Sequence, residues 1–181
     1  MERYEVFRPE TVPTDSGGLE RTMELAGFFM SHALWCVSTG ESLIPLIGFE
    51  GRQGWGLLRM RDKRLEEGVA RGERWIDSNP ERVERAALIF DGYYTGGARR
   101  TDALLGKVVD YEGELWRIGL VLPYRHANDA AGFAVHRPKF RDVDDRDNEA
   151  DAPRLMEAFF RGSDLHEEGA AIWHSTLDES L

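Results

Sequence analysis

The sequence predicts an α+β fold, a largely antiparallel sheet of five or six strands with helices packed mainly on one face. Three observations lead there. Residues 19–37 and roughly 62–78 place apolar side chains at helical spacing. Between Arg85 and Arg125, three stretches rich in leucine, valine and aromatic residues follow one another with only turn-forming sequence between them. The elements run α-β-β-α-β-β-β, with a further strand and a C-terminal helix to follow, too few alternating helices for a doubly wound parallel sheet.

The first helix carries Leu19, Met23, Ala26, Met30, Leu34 and Val37 on one face, at spacings of three and four. Ser38-Thr39-Gly40 ends it. "SLIPLIGFE" and "WGLLRM", joined by "GRQG", predict a hairpin of strands near 42–49 and 55–60. Pro45 cannot donate to a ladder, so the first of these is expected at an edge or at a bulge. Asp62 is placed to cap the second helix, whose buried face is Leu65, Val69, Gly72 and Ile76. Gly68 and Gly72 cost helix propensity there, about 1 kcal/mol each relative to alanine. Close approach to a neighbouring element is the mechanical reason to keep them. Asn79-Pro80 closes the helix.

"RAALIFDGYY", "TDALLGKVVDYE" and "ELWRIGLVLPYR" are the strongest strand candidates, the last two meeting at Glu112-Gly113. Residues 86–92 and 101–111 are expected to pair antiparallel around a turn at Gly96-Gly97. "AGFAVHRP" adds a possible edge strand. Residues 142–151, with six carboxylates and one arginine, predict an exposed acidic loop within a single domain spanning 1–181. Pro153 then opens a helix to about 161, and the Asp164 to Glu167 spacing matches a capping box for a last short one.

Composition narrows the function classes. One cysteine, Cys36, rules out an intrachain disulfide framework and fits a reducing compartment. The opening "MERYEVFRPE" has no basic and apolar leader pattern, so a cytoplasmic location is expected. "LIPLIGF" falls far short of the roughly 20 apolar residues that cross a bilayer. The formal net charge is −10, and residues 142–181 supply −9 of it through twelve acidic side chains and three arginines. That charge repels a phosphate backbone, and nucleic-acid binding is disfavoured.

No cofactor motif is present. Gly106-Lys107 is followed by valine rather than serine or threonine, and Gly96-Gly97 lacks the three-glycine dinucleotide spacing. One cysteine and five scattered histidines, His126 and His136 among them, offer no zinc signature, and the acidic run breaks the calcium-loop order. His32 and Cys36 share a helix face. The cysteine, however, lies in the last turn, where the helix dipole disfavours a thiolate.

Two function classes remain open. The first is an acidic protein that acts by binding, regulatory or inhibitor-like, as a homodimer or with a protein partner. Its candidate interface is Phe28, His32 and Trp35, on the side of the first helix opposite Met23 and Met30. Cover by Phe159, Phe160, Ile172 and Trp173 of the C-terminal segment is the alternative fate of that side. The second is a hydrolase with a carboxylate site at Asp91 and Asp102, where Arg99 or Arg100 holds an anionic group. Against it, Asp91-Gly92 also fits a strand-ending turn, and Glu112 and Glu114 lack a lysine partner. A concave pocket gathering Asp91, Asp102 and an arginine would favour the enzyme; a flat exposed patch with Phe28 and Trp35 would favour binding.

Overall fold

The computed structural model describes residues 5–7, 17–96, 99–142 and 151–180. In chain order these form β1 (Glu5–Phe7), α1 (Gly18–Val37), β2 (Leu46–Gly51), β3 (Gly54–Arg59), α2 (Leu65–Ser78), β4 (Arg85–Gly96), β5 (Arg99–Asp110), β6 (Trp116–Arg125), β7 (Ala134–Val135), β8 (Lys139–Asp142), α3 (Ala152–Asp164) and α4 (Glu167–Thr176). The architecture is mixed α+β. Strands pair in the order β1-β3-β2-β4-β5-β6-β7, with β8 also on β6. Every strand pairing is antiparallel. Eight strands exceed the five or six expected because β1 and β8, three and four residues long, are too short to leave a periodic signal.

The sheet separates two apolar layers, and alternation along each strand assigns its residues to them. Ala87 and Ile89 of β4, Leu104 and Val108 of β5, and Ile118, Leu120 and Leu122 of β6 face the layer that contains α1, α3 and α4. Ala86, Leu88 and Val109 face the smaller layer with Ile76 of α2. α1 is sealed on all sides: every residue from Thr22 to Leu34 is buried. On its second apolar side Phe28 packs against Trp55 of β3 and His166 at the start of α4, and Phe159 of α3 and Trp173 of α4 belong to the same core. The helices meet through glycine. A Cβ on Gly162 would lie 1.8 Å from the Glu24 carbonyl oxygen, and one on Gly27 would lie 1.9 Å from that of Phe159. Only hydrogen fits at either position.

α2 approaches the other face by the same device, as its glycines predict. A Cβ on Gly72 would stand 2.6 Å from Leu88, and one on Gly68 would stand 2.4 Å from the Met60 carbonyl. Its start differs from expectation. Arg64 is the N-cap residue and makes no side-chain cap, while Asp62 pairs with Arg71 at 3.1 Å. Leu65, expected inside, is 45% exposed. The helix ends at Asn79, left-handed at φ 40°.

Two further expectations are corrected. β2 is interior, between β3 and β4. Pro45 precedes the strand and contributes its carbonyl, which accepts the Met60 N–H at 2.7 Å, so its missing donor disturbs no ladder. α3 runs through Asp164, and the cap of α4 is His166, whose ring accepts the Gly169 N–H at 3.0 Å. The acidic segment is framed by Asp142, which closes β8, and Asp151, which leads into α3. Residues 143–150, like Gly97 of the expected turn, lie outside the described residues. No described helix is long and apolar enough to cross a membrane.

Candidate functional site

β4, β5 and β6 extend past the end of the α1 layer, and there the inward-facing rows change character. On β4 the face reads Ile89, Asp91, Tyr93; on β5, running the other way, it reads Leu104, Asp102, Arg100; on β6, Leu122, Tyr124, His126. The register aligns them. Asp91 pairs with Leu104 and Tyr93 with Asp102 across β4–β5, while Leu104 pairs with Leu122 across β5–β6. Each strand therefore passes from core to polar residues at the same end of the sheet. Because i and i+2 residues share a face, these side chains converge.

The result is a cavity of about 550 Å³ whose lining includes Tyr93, Arg100, Asp102, Tyr124, His126 and His136. Asp91 is half-buried behind this wall. The Tyr124 hydroxyl reaches across β5 and donates to Asp91 Oδ1 at 2.9 Å. Burial pushes the Asp91 carboxyl above the usual carboxylate range, and the neighbouring Asp102 charge adds to the rise. The Tyr124 hydrogen bond, the Gly92 amide and His126 pull the other way without cancelling it. The Tyr124 phenol is itself held well above its ordinary value, by burial first and by Asp91 next, so it remains a hydrogen-bond donor at any working pH.

His136 is buried and fixed to the C-terminal segment through Nδ1 and the Asp178 carbonyl, 2.8 Å apart. Arg125 is occupied by the Gly132 carbonyl at 2.8 Å and by Asp178 at 3.1 Å. Arg100 differs. Its guanidinium lies over the Tyr93 ring, 3.5 Å from the centroid, and Tyr93 is 57% exposed. Of the hydrolase set, Asp102 and Arg100 line the cavity, and Asp91 stands behind its wall, near enough for the Asp102 charge to act on its carboxyl. Arg99 is described only through its backbone, paired with Gly96.

The other carboxylates weighed from sequence belong to a different neighbourhood. Asp110 accepts the Thr22 hydroxyl at 2.5 Å, and Glu112 pairs with Arg85. Arg117 pairs with Asp77 at 3.1 Å. Among the described residues, no three His, Cys, Asp or Glu side chains gather closely enough to hold a metal ion.

The three candidate interface residues are separated by burial. Phe28 is 5% exposed and packs on Phe29, Trp55 and His166. His32 is 3% exposed. Its Nδ1 meets His166 Nε2 at 3.0 Å and its Nε2 meets Arg59 at 3.1 Å. Burial, then His166 and Arg59, lower the His32 pKa to about 4. Both residues are covered by the chain itself, because α4 and β3 close over that side of α1. Trp35, in the last turn, stays 43% exposed. Cys36, the one cysteine of the sequence, is half-buried, and its helical neighbour His32 is engaged with His166 and Arg59.

Tyr93 and Tyr124 escaped the sequence reading, and His126 was weighed there only as a metal ligand. The available signal was the matching change from apolar to polar at i+2 steps on three consecutive strands, usable only once their register is known. Comparison of the chain with protein-family models, with curated proteins and with solved structures gave no match in any of the three.

Proposed function

We propose that the chain is a hydrolase of a small polar substrate, with Asp91 as proton donor and Asp102 as the second carboxylate. One observation carries this reading: a half-buried carboxyl, held protonated to higher pH than usual, stands behind a cleft wall that presents another carboxylate and an arginine. Pairs of acids in unequal surroundings can divide the acid and base roles. Tyr124 donates to Asp91 Oδ1, which leaves Oδ2 as the oxygen that carries the proton in the acid form. In the proposed step Asp91 gives that proton to the leaving group as the substrate bond breaks. Water supplies the new bond, and Asp102 takes the proton that water loses. Exchange with solvent restores both carboxyls.

The test is a panel of chromogenic carboxylic esters, phosphate esters and glycosides. Asp91→Asn should cost about 10²–10⁴-fold in kcat, the range for removal of a general acid, with circular dichroism unchanged. Activity that survives in Asp91→Asn defeats the assignment.

A second reading keeps the chain as a cytoplasmic binding protein, regulatory or inhibitor-like, and is supported by exposed Trp35 at the end of α1. Of the three residues first considered for a dimer or partner surface, it is the one with area to offer. Sedimentation of the parent and of Trp35→Ser tests it: a monomeric parent removes the dimer.

A further inference from the structure

We infer that Arg100 is the group by which the cleft holds an oxyanion of its ligand, a carboxylate or phosphate carried on a small molecule. The inference rests on the cleft being the functional site. Its support is the difference between two arginines on the same wall. Arg125 has its donors taken up by the Gly132 carbonyl and the Asp178 carboxylate. Arg100 meets no carboxylate among the described residues; its contact is the face of Tyr93.

Stacking on a ring restrains the guanidinium plane and leaves the N–H edge available. A fork of parallel donors in a fixed plane matches two oxygens of a carboxylate or phosphate, and less of the ligand's binding energy is then lost to ordering a long side chain. Thr95 stands across the strand pair from Arg100, and Asp102 is two residues along β5 on the same face, so the anion would be seated at the outer end of the row that leads in to Asp91. Holding it there aims the remainder of a small molecule at the carboxyls.

The neighbours also limit the class. Asp102 and Asp129 line the same cavity, and the chain as a whole is acidic. A polyanion would be repelled by both, whereas a small molecule with one anionic group meets a single well-placed guanidinium and can turn a hydrogen-bond-donating or cationic end toward Asp102. Recognition is then local geometry, with no help from the overall field.

The experiment is a titration of the full chain with sodium acetate and, separately, inorganic phosphate at constant ionic strength. Chloride serves as the control and ¹H–¹⁵N correlation spectra as the readout. Saturable shifts at the Arg100 Nε–Hε group and at the Tyr93 and Asp102 amides, absent with chloride, are expected for at least one probe; which one responds separates carboxylate from phosphate. Arg100→Gln, at an exposed position, should weaken that binding about tenfold or more. Arg100→Lys, which keeps the charge and loses the fork, should restore only part of it. No saturation above chloride by either probe, or equal binding in Arg100→Gln, overturns the inference. Asp91→Asn should bind the probe as the parent does. Asp91-dependent turnover without probe binding therefore sinks the anion assignment alone, and probe binding without Asp91-dependent turnover sinks the hydrolase reading alone.

Discussion

β4 begins in one polar cluster and ends in another, and the two are built on opposite terms. At its start, Arg85 stands in a cross-strand row between Glu50 of β2 and Asp110 of β5. It pairs with Glu50 and with Glu112, and its Nε lies 4.0 Å from Asp110. Arg21 meets Glu50 at 2.6 Å and Thr22 donates to Asp110. Burial alone would raise the Glu50 carboxyl, but the hydrogen bonds from Arg21 and Arg85 outweigh it and hold the group below its ordinary value. At the far end, Asp91 has a phenol and no guanidinium, and the same desolvation prevails. Carboxylates around the two ends of β4 thus come in two kinds. Those answered by fixed cations tie α1 to the sheet. The one left to desolvation, Asp91, loses its proton only at a higher pH than an ordinary carboxyl does.

Removing the fixed cation should have the largest effect. Arg85→Met leaves buried Asp110 with the Thr22 hydroxyl and Glu50 with Arg21, and loss of one member of a buried ion pair costs about 3–5 kcal/mol. Urea unfolding monitored by tryptophan fluorescence measures it. A loss below 1 kcal/mol would mean that the two ends of β4 are not as different as their contacts imply.

The next effect comes from α1, which runs between the clusters, and must be subtracted before they can be compared. The folded-state pKa of His32 is lowered from 6.5 to about 4, so the folded chain binds fewer protons than the unfolded chain between those values. Its contribution is complete above pH 6.5 and is lost as the pH falls toward 4. At about 1.4 kcal/mol per pKa unit this is on the order of 3 kcal/mol. Stability of the parent should decline through that window, and His32→Asn should flatten the decline. A parent curve level from pH 6.5 to 4 refutes the assignment.

The finest test compares opposite slopes in that His32→Asn background. Glu50, with its lowered value, contributes stability that is present above its unfolded pKa and disappears as the pH drops through the folded one. Asp91, with its raised value, does the reverse: its ionisation in the fold weakens stability as the pH rises through its folded pKa. The advantage of the parent over Glu50→Gln should therefore shrink on acidification, and its standing against Asp91→Asn should improve. Slopes of the same sign would erase the distinction between the two ends.

Much of this frame was legible in the residues. The period of α1, the β2–β3 hairpin and the three long strands each rest on ten or so residues of consistent pattern or on an unambiguous turn. The close approach of α2 was readable from Gly68 and Gly72. The order of strands was not, because β2 pairs with β4 across an intervening helix and no local signal encodes that. Burial of Phe28 and His32 turned on whether β3 and the start of α4 at His166 close over α1, long-range contacts that local patterns leave undecided. Asp91, Asp102 and Arg100 could be named individually. Their convergence, and the part of Tyr124, depend on a cross-strand register set by pairings far along the chain.

The enclosure of α1 has a consequence for how the chain comes to be folded. Its inner side can dock on the sheet once β4 to β6 exist, but its outer side waits for Phe159, Gly162 and Trp173, more than 120 residues downstream of its own end. During vectorial synthesis a helix with two apolar sides is made early and sheltered last, and an exposed surface of that kind is what chaperones and aggregation compete for. Contacts this distant in sequence also slow the closing step, since the long loop must be ordered before they form. A ribosome stalled before α3 would hold a nascent chain in which α1 lacks the cover that α3 and α4 give it in the fold.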